Sequence, residues 1–183
     1  MENLEEQLLE SSLKFNGKIL SVKVDQVKLP DGNRSEREIV EHPGGVTVIP
    51  YNPRGKIVMI EQYRHAAGQV LLELPAGRLE AEEEPEIGGR RELQEETGYK
   101  AGEMIHLFDF YTTPGYSTEC LNLFLARDLQ QGEQQLETGE FLSLTEIAPE
   151  EIPDLVLSGK VKDSKTAVGL LAFLQYEQEN ISD

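Results

Sequence analysis

Tryptophan is absent from this 183-residue sequence, and cysteine occurs once. The lone Cys120 excludes an intrachain disulfide, so the fold must rest on buried apolar side chains, and the chain suits a reducing compartment. Basic residues are also scarce: 17 Lys and Arg stand against 34 Asp and Glu, a formal net charge of −17. Nucleic-acid binders need a basic footprint, so no nucleic-acid partner is expected. A small anion held by local arginines and a metal is not excluded. No apolar run approaches the roughly 20 residues needed to span a bilayer, so no membrane partner is expected either. The acidic opening MENLEEQLLESSL lacks the basic flank and apolar core of a secretory leader. A cytoplasmic protein is the expectation, long enough for one full domain with a small added subdomain.

What is present reads mostly as strands. Residues before Gly17 form a short amphipathic lead. KILSVKVDQVKLPDGNRSEREIVEH alternates apolar and polar residues on both sides of PDGN, where Asp31-Gly32 favours a tight turn. This predicts a hairpin with arms at residues 17–29 and 35–41. GVTVIPY, KIVMIEQYR and VLLELPAG are further strands, the last stopping at Pro75. EPEIGGRRELQEETG reads as a helix, with Pro85 in its first turn and Gly98 as its stop. Gly88 and Gly89 weaken that helix by about 1 kcal/mol each relative to alanine, which suggests close backbone packing. EMIHLFDFYTT and CLNLFLARDL read as strands flanking the loop PGYSTE, followed by a final strand in GEFLSLTEI. APEEIPDLVLSG and DSKTAVGLLAFLQYEQ read as closing helices, the second with Asp163 as N-cap. The pattern implies a mixed sheet covered on both faces.

The stretch AGRLEAEEEPEIGGRRELQEETGY carries eight glutamates against three arginines. Glu92, Glu95 and Glu96 stand at i, i+3 and i+4, so a helix turns all three to one side. They also lie near its C-terminal end, where the helix dipole disfavours negative charge. Arg91 relieves part of this but cannot balance three carboxylates. A hard divalent cation is one solution and a solvated face is the other; the spacing alone leaves both open.

The same stretch fits G-x5-E-x7-R-E-U-x-E-E-x-G-U, with U apolar, through Gly77, Glu83, Arg91, Glu92, Leu93, Glu95, Glu96, Gly98 and Tyr99. Only aromatic Tyr99 departs from an aliphatic position. This resembles the Nudix box of hydrolases that cleave nucleoside diphosphates linked to another moiety. The resemblance implies an α/β (α+β) fold, a Nudix-type α/β/α sandwich with a mixed sheet and an N-terminal β-hairpin subdomain. The division expected is residues 1–43 for the subdomain and 44–183 for the hydrolase domain. It also implies Mg²⁺, with Mn²⁺ as substitute, held by Glu92 and Glu96, the Ala76 carbonyl, and Glu95 on a further metal or its water. Arg91 and Glu83 map onto a structural ion pair. Gly77 is read as the site of a sharp backbone turn close to a ligand, and Gly98 as the end of the motif.

YTTPGYSTE places Pro114 sixteen residues after Gly98, which resembles the marker of the ADP-ribose pyrophosphatase subgroup. Glu119, five residues on, maps onto a loop glutamate that approaches the substrate and metals, which makes it a candidate general base; relatives assign that role to different glutamates, and Glu95 is the competitor. SEREIVEHPGGVTVIP, IEQYR and LLELPAG are similar to segments of bacterial ADP-ribose hydrolases. They make Arg37 and Arg64 candidates for the diphosphate or terminal ribose, and Glu73 a candidate for the ribose. Arg37 equally fits a cross-strand pair with a glutamate, and Glu73 a buried ion pair. In such relatives the N-terminal segment is exchanged between protomers, which implies a homodimer. The implied activity is hydrolysis of ADP-ribose to AMP and ribose 5-phosphate. Its alternatives are pyrophosphatases of nucleotide sugars or other nucleoside diphosphate derivatives, and a non-catalytic ADP-ribose sensor.

Overall fold

A computed structural model describes residues 4–180. The chain divides into an N-terminal unit, residues up to Gly44 with Tyr111–Cys120, and a larger unit from Gly45 to Phe110 and from Leu121 onward.

In the N-terminal unit, β1 (Gln7–Asn16), β2 (Ser21–Lys28) and β3 (Arg34–Glu41) form an antiparallel sheet in that order. The turn between β2 and β3 closes over Asp31-Gly32. The Gly32 amide donates to the Leu29 carbonyl at 2.9 Å, and Asp31 accepts from both Asn33 nitrogens. The lead before Gly17 is corrected here. It is a strand, paired with β2 from Gln7↔Lys28 to Asn16↔Ser21, which extends the expected hairpin of β2 and β3 to a three-stranded sheet. Two register shifts, between Leu8 and Glu10 and between Leu13 and Phe15, break the period of two. Clean alternation is therefore missing from the sequence. Past Tyr111, the chain runs along the end of β3: the Val40 amide donates to Tyr116 O at 2.7 Å and the Thr118 amide to Val40 O at 3.0 Å.

The larger unit contains β4 (Gly45–Pro50), β5 (Ile57–Arg64), β6 (Gln69–Glu73), β7 (Ala76–Arg78), α1 (Pro85–Thr97), β8 (Tyr99–Tyr111), β9 (Cys120–Gln131), β10 (Leu142–Ile147), α2 (Ile152–Leu157) and α3 (Ser164–Asn180). A 3₁₀ turn at Pro149–Glu151 leads into α2, which is shorter than the sequence suggests. One sheet runs β7-β4-β9-β8, with β4 parallel to β9 and antiparallel to β7; the other runs β10-β5-β6. The expected mixed sheet is present. VLLELPAG is divided between the two sheets: β6 pairs with β5, and β7 pairs with β4. Pro75 has no amide to donate between them, while its carbonyl accepts from the Val48 amide at 2.9 Å.

β4 is buried along its whole length and sorts the core by alternation. Val48 joins Leu93 of α1 with Ala126 and Leu129 of β9. Ile49 joins Leu74, Leu123 and Leu125 with Leu170 and Phe173 of α3. Helices thus cover both faces, an α/β/α arrangement. Full burial stabilises side chains such as Leu170 and Phe173 by about 1.5–3 kcal/mol each. Gly88 and Gly89 let α1 approach closely: a Cβ on Gly88 would lie 2.7 Å from Leu79 Cδ2, and one on Gly89 3.1 Å from Met104 Cε. Gly98 ends α1 in the left-handed region at φ 76°, a conformation glycine adopts without penalty.

Candidate active site

The C-terminal half of α1 lies over β7, and the Glu92 carboxylate occupies the space that a side chain on Gly77 would take. A Cβ on Gly77 would sit 1.9 Å from Glu92 Cδ. The expected sharp turn at Gly77 is absent, because Gly77 is a strand residue paired with Val46. The missing side chain instead makes room for the Glu92 carboxylate. Three contacts hold the segment leading into β7. Leu74 N donates to Thr166 Oγ1 at 2.8 Å, the Pro75 carbonyl accepts from Val48, and Ala76 N donates to Glu96 Oε2 at 2.9 Å.

Arg91 organises the remaining acids. Its Nε and Nη2 meet Glu83 Oε1 and Oε2, both at 2.9 Å, a two-pronged pair. Nη2 also donates to Arg78 O at 3.0 Å, closing the loop before the helix. Nη1 donates to Glu92 Oε1 at 2.7 Å and Glu95 Oε2 at 3.0 Å. The Arg91 guanidinium holds the Glu83 carboxyl below the usual carboxylate range.

Glu96 is 3% exposed, and burial pushes its carboxyl up to about 8. The Ala76 amide and Arg64 work against this, while Glu92 and Glu140 reinforce it. Burial also raises Glu92, with Arg91 opposing. Among the described residues, no three His, Cys, Asp or Glu side chains are gathered as a ready metal cage. Glu92 and Glu95 turn to Arg91, and Glu96 turns to Ala76. The donor chemistry nonetheless suits a hard divalent cation. All donors are oxygens, one buried carboxylate lacks a full counter-charge, and Gly77 leaves space beside Glu92.

Arg64, at the end of β5, forks onto Glu73 at the end of β6: Nε to Oε1 and Nη2 to Oε2, both at 2.8 Å. Glu73 has no exposed surface, and its carboxylate raises the Arg64 guanidinium further. The two N–H groups of Arg64 Nη1 have no partner among the described residues, and the side chain is 40% exposed. Arg64 and Glu96 act on each other electrostatically, so the structure brings the arginine and the box together.

Arg37, Pro114 and Glu119 belong to the N-terminal unit. The Arg37 guanidinium is engaged by Glu6 through Nε at 3.0 Å and through Nη2, and by Ser35 through Nη1. Pro114 sits in the turn where Tyr116 N donates to Thr113 O at 3.2 Å. Glu119 Oε2 accepts from Thr112 Oγ1 at 2.6 Å, and its Oε1 is 3.5 Å from His42 Nδ1. That nitrogen accepts the Gly44 amide at 3.1 Å, so it does not donate to Glu119.

Two features were missed by sequence reading. Glu140, in the loop before β10, acts electrostatically on both Glu92 and Glu96 and lies 3.5 Å from Gln62 Nε2. No spacing rule points from the box to this loop. Lys165, in the first turn of α3, ion-pairs with Glu73. Its proximity to the capping Asp163 was the only signal available.

With the geometry in hand, comparisons with known proteins are informative. A NUDIX domain matches residues 41–166, and a nucleoside diphosphate sugar hydrolase N-terminal domain matches residues 6–47. An ADP-ribose pyrophosphatase of Bacillus subtilis (strain 168) is 40% identical over 180 residues, covering 97% of both chains. A methanol dehydrogenase activator of Bacillus methanolicus is 39% identical, covering 95% of both. An ADP-ribose pyrophosphatase of Mycobacterium tuberculosis (strain ATCC 25618 / H37Rv) is 36% identical, covering 91% of this chain and 82% of its own. A solved structure titled as an ADP compounds hydrolase superposes with a TM-score of 0.87 over 98% of both chains at 18% identity, a likeness of fold. No helix among the described residues is long and apolar enough to cross a membrane. Hydrolases with this domain generally use divalent metals. The chain belongs to the Nudix family and is a Nudix hydrolase.

Proposed function

We propose that this chain hydrolyses the pyrophosphate bond of ADP-ribose to give AMP and ribose 5-phosphate, with Mg²⁺, or Mn²⁺ in its place. The observation that carries the reading is the placement of Arg64, with donors to spare, in the field of the box carboxylate Glu96. The names of the Bacillus subtilis and Mycobacterium tuberculosis relatives support the choice of substrate.

Glu92, Glu96 and the Ala76 carbonyl are the proposed metal ligands, with Glu95 on a further metal or its water. A divalent metal in that set supplies neutralisation of charge on the phosphoryl oxygens. Arg64 binds the diphosphate through its outward Nη1 edge, held in orientation by Glu73. Arg91 clamps Glu83 to α1 and steadies Glu92 and Glu95. A carboxylate must take the proton of the attacking water. Glu140 and Glu95 lie in the larger unit with the box, and Glu119 is the third candidate. Arg37 and Pro114 are assigned to substrate contact from the N-terminal unit, Arg37 at the cost of releasing Glu6. We assign residues 1–43 to a dimer-forming subdomain, residues 44–183 to the hydrolase, and the whole to the cytoplasm as a homodimer.

A second reading keeps the chemistry and changes the leaving group from ribose 5-phosphate to a sugar 1-phosphate. It is favoured by the match of residues 6–47 to the N-terminal domain of nucleoside diphosphate sugar hydrolases. The deciding experiment is product analysis with ADP-ribose, ADP-glucose, GDP-mannose and NADH, each with and without Mg²⁺. AMP and ribose 5-phosphate appearing fastest, and only with metal, supports the first reading. Preference for a nucleotide sugar replaces it with the second. Binding of ADP-ribose without turnover of any member replaces both with a sensor.

A further inference from the structure

Glu73 ends β6 without any exposed surface, yet it is not balanced by Arg64 alone. Lys165, itself largely covered, places its ammonium on Glu73 Oε2, the oxygen that also accepts Arg64 Nη2. The same ammonium meets Asp163 Oδ2 at 2.9 Å. Asp163 Oδ2 accepts from the Thr166 amide at 3.0 Å and from Thr166 Oγ1 at 2.6 Å, and Thr166 Oγ1 accepts the Leu74 amide. The first turn of α3 is thus keyed twice to the end of β6, once through charge and once through the backbone.

Two cations and two carboxylates make this quartet neutral. An unpaired buried carboxylate is costly, so Glu73 needs a counter-charge in any case. Arg64 alone would meet that need, but its charge would then be spent on Glu73. Without the ammonium, one guanidinium would face both Glu73 and Asp163, and an incoming diphosphate would meet net negative charge. We propose that Lys165 is a positioning residue for the substrate anion: it neutralises Glu73 beside Asp163, so that Arg64 stays anchored by Glu73 while remaining cationic toward the diphosphate. The inference rests on Arg64 as the phosphate contact and adds the residue that keeps this contact charged.

The test is the effect of charge at positions 165 and 163 on substrate affinity. Lys165→Met retains the stem and removes the charge. KM for ADP-ribose is expected to rise about tenfold, with kcat within about threefold of the parent. The dissociation constant for the non-hydrolysable α,β-methylene analogue, measured by calorimetry, should rise by the same factor. Lys165→Arg should restore both. Asp163→Asn retains a capping side chain and removes the opposing charge, so it should lower KM several-fold; a merely structural role has no reason to improve affinity. If Lys165→Met does not fold, the sign of the Asp163→Asn effect decides alone. Unchanged KM in Lys165→Met, or unchanged or raised KM in Asp163→Asn, while Arg64→Ala still raises KM, overturns the inference and spares the proposed function. Unchanged KM in Arg64→Ala removes the arginine as phosphate contact and overturns the inference with it. If another member of the substrate panel is preferred, the substrate assignment falls, and the same ratios on that member still decide the role of Lys165.

Discussion

The two units of this chain solve the burial problem differently. In the larger unit, β4 is covered on both faces, and Ile49, Leu123, Leu170 and Phe173 have no exposure. In the N-terminal unit, Val27 is the one buried apolar side chain among the described residues, while Leu8, Leu9, Leu13 and Phe15 of β1 are exposed. A three-stranded sheet with one buried valine has little to offset its chain entropy. The difference teaches that the larger unit holds nearly all the buried apolar core, whereas the smaller leaves apolar side chains of β1 exposed. Their arginines differ in parallel. Arg37 is tied to Glu6 in an exposed pair, while Arg64 is tied to a fully buried glutamate and keeps one edge outward.

The sharpest consequence concerns the box. Glu96→Gln keeps volume and removes one charge, and should lower kcat on the order of 10³-fold with the melting temperature nearly unchanged. Normal turnover in Mg²⁺ would break the assignment of the larger unit as the reaction centre. Next comes the contrast in burial. Leu170→Ala should cost about 2–5 kcal/mol in denaturant unfolding without altering the solution mass. If the proposed homodimer is built on β1, Leu13→Glu with Phe15→Glu should halve the mass by light scattering; a parent of monomer mass would overturn the dimer, and an unchanged doubled mass would remove β1 from its interface. The two arginines should separate in steady-state kinetics. Arg64→Ala should raise KM by about 10–100-fold, and Arg37→Ala by less than about fivefold. Equal effects would mean that Arg37 leaves Glu6 to meet substrate.

The box also predicts a pH dependence of the metal-free protein. The Glu96 carboxyl is raised to about 8 from its ordinary 4.5. The stability linked to its protonated form is present below 4.5 and lost as pH rises through 8. In EDTA the melting temperature should fall by about 10–20 °C across that window relative to Glu96→Gln. Parallel curves for the two proteins would show that Glu96 does not titrate there.

Local patterns were legible and distant ones were not. Helix α1, its Gly98 stop and the one-sided Glu92, Glu95 and Glu96 follow from spacing within a few residues. β1 was missed because its bulges cancel the alternation that marks a strand. β7 was missed because three residues, Ala76–Arg78, carry no periodicity of their own. Gly77 was read as a site of close approach, and the Glu92 side chain lies against it, a neighbour that nothing in the local pattern announces. The bond from Leu74 to Thr166 and the pair of Glu73 with Lys165 each span 92 residues, and nothing local in either segment announces the other. Glu140 reaches the box from a loop for the same reason.

The parallel pairing of β4 with β9 joins segments that lie far apart in the chain. Helix α1 lies in the crossover between those strands, and Leu93 docks against Val48 of β4 together with Ala126 and Leu129 of β9. Closing so long a crossover costs chain entropy before any contact repays it. Part of the seat of α1, on β4, precedes the helix in the chain, and part, on β9, follows it. Leu93 therefore ties the helix that carries Glu92, Glu95 and Glu96 to both strands at once, so a change at this one buried leucine would loosen all three carboxylates together.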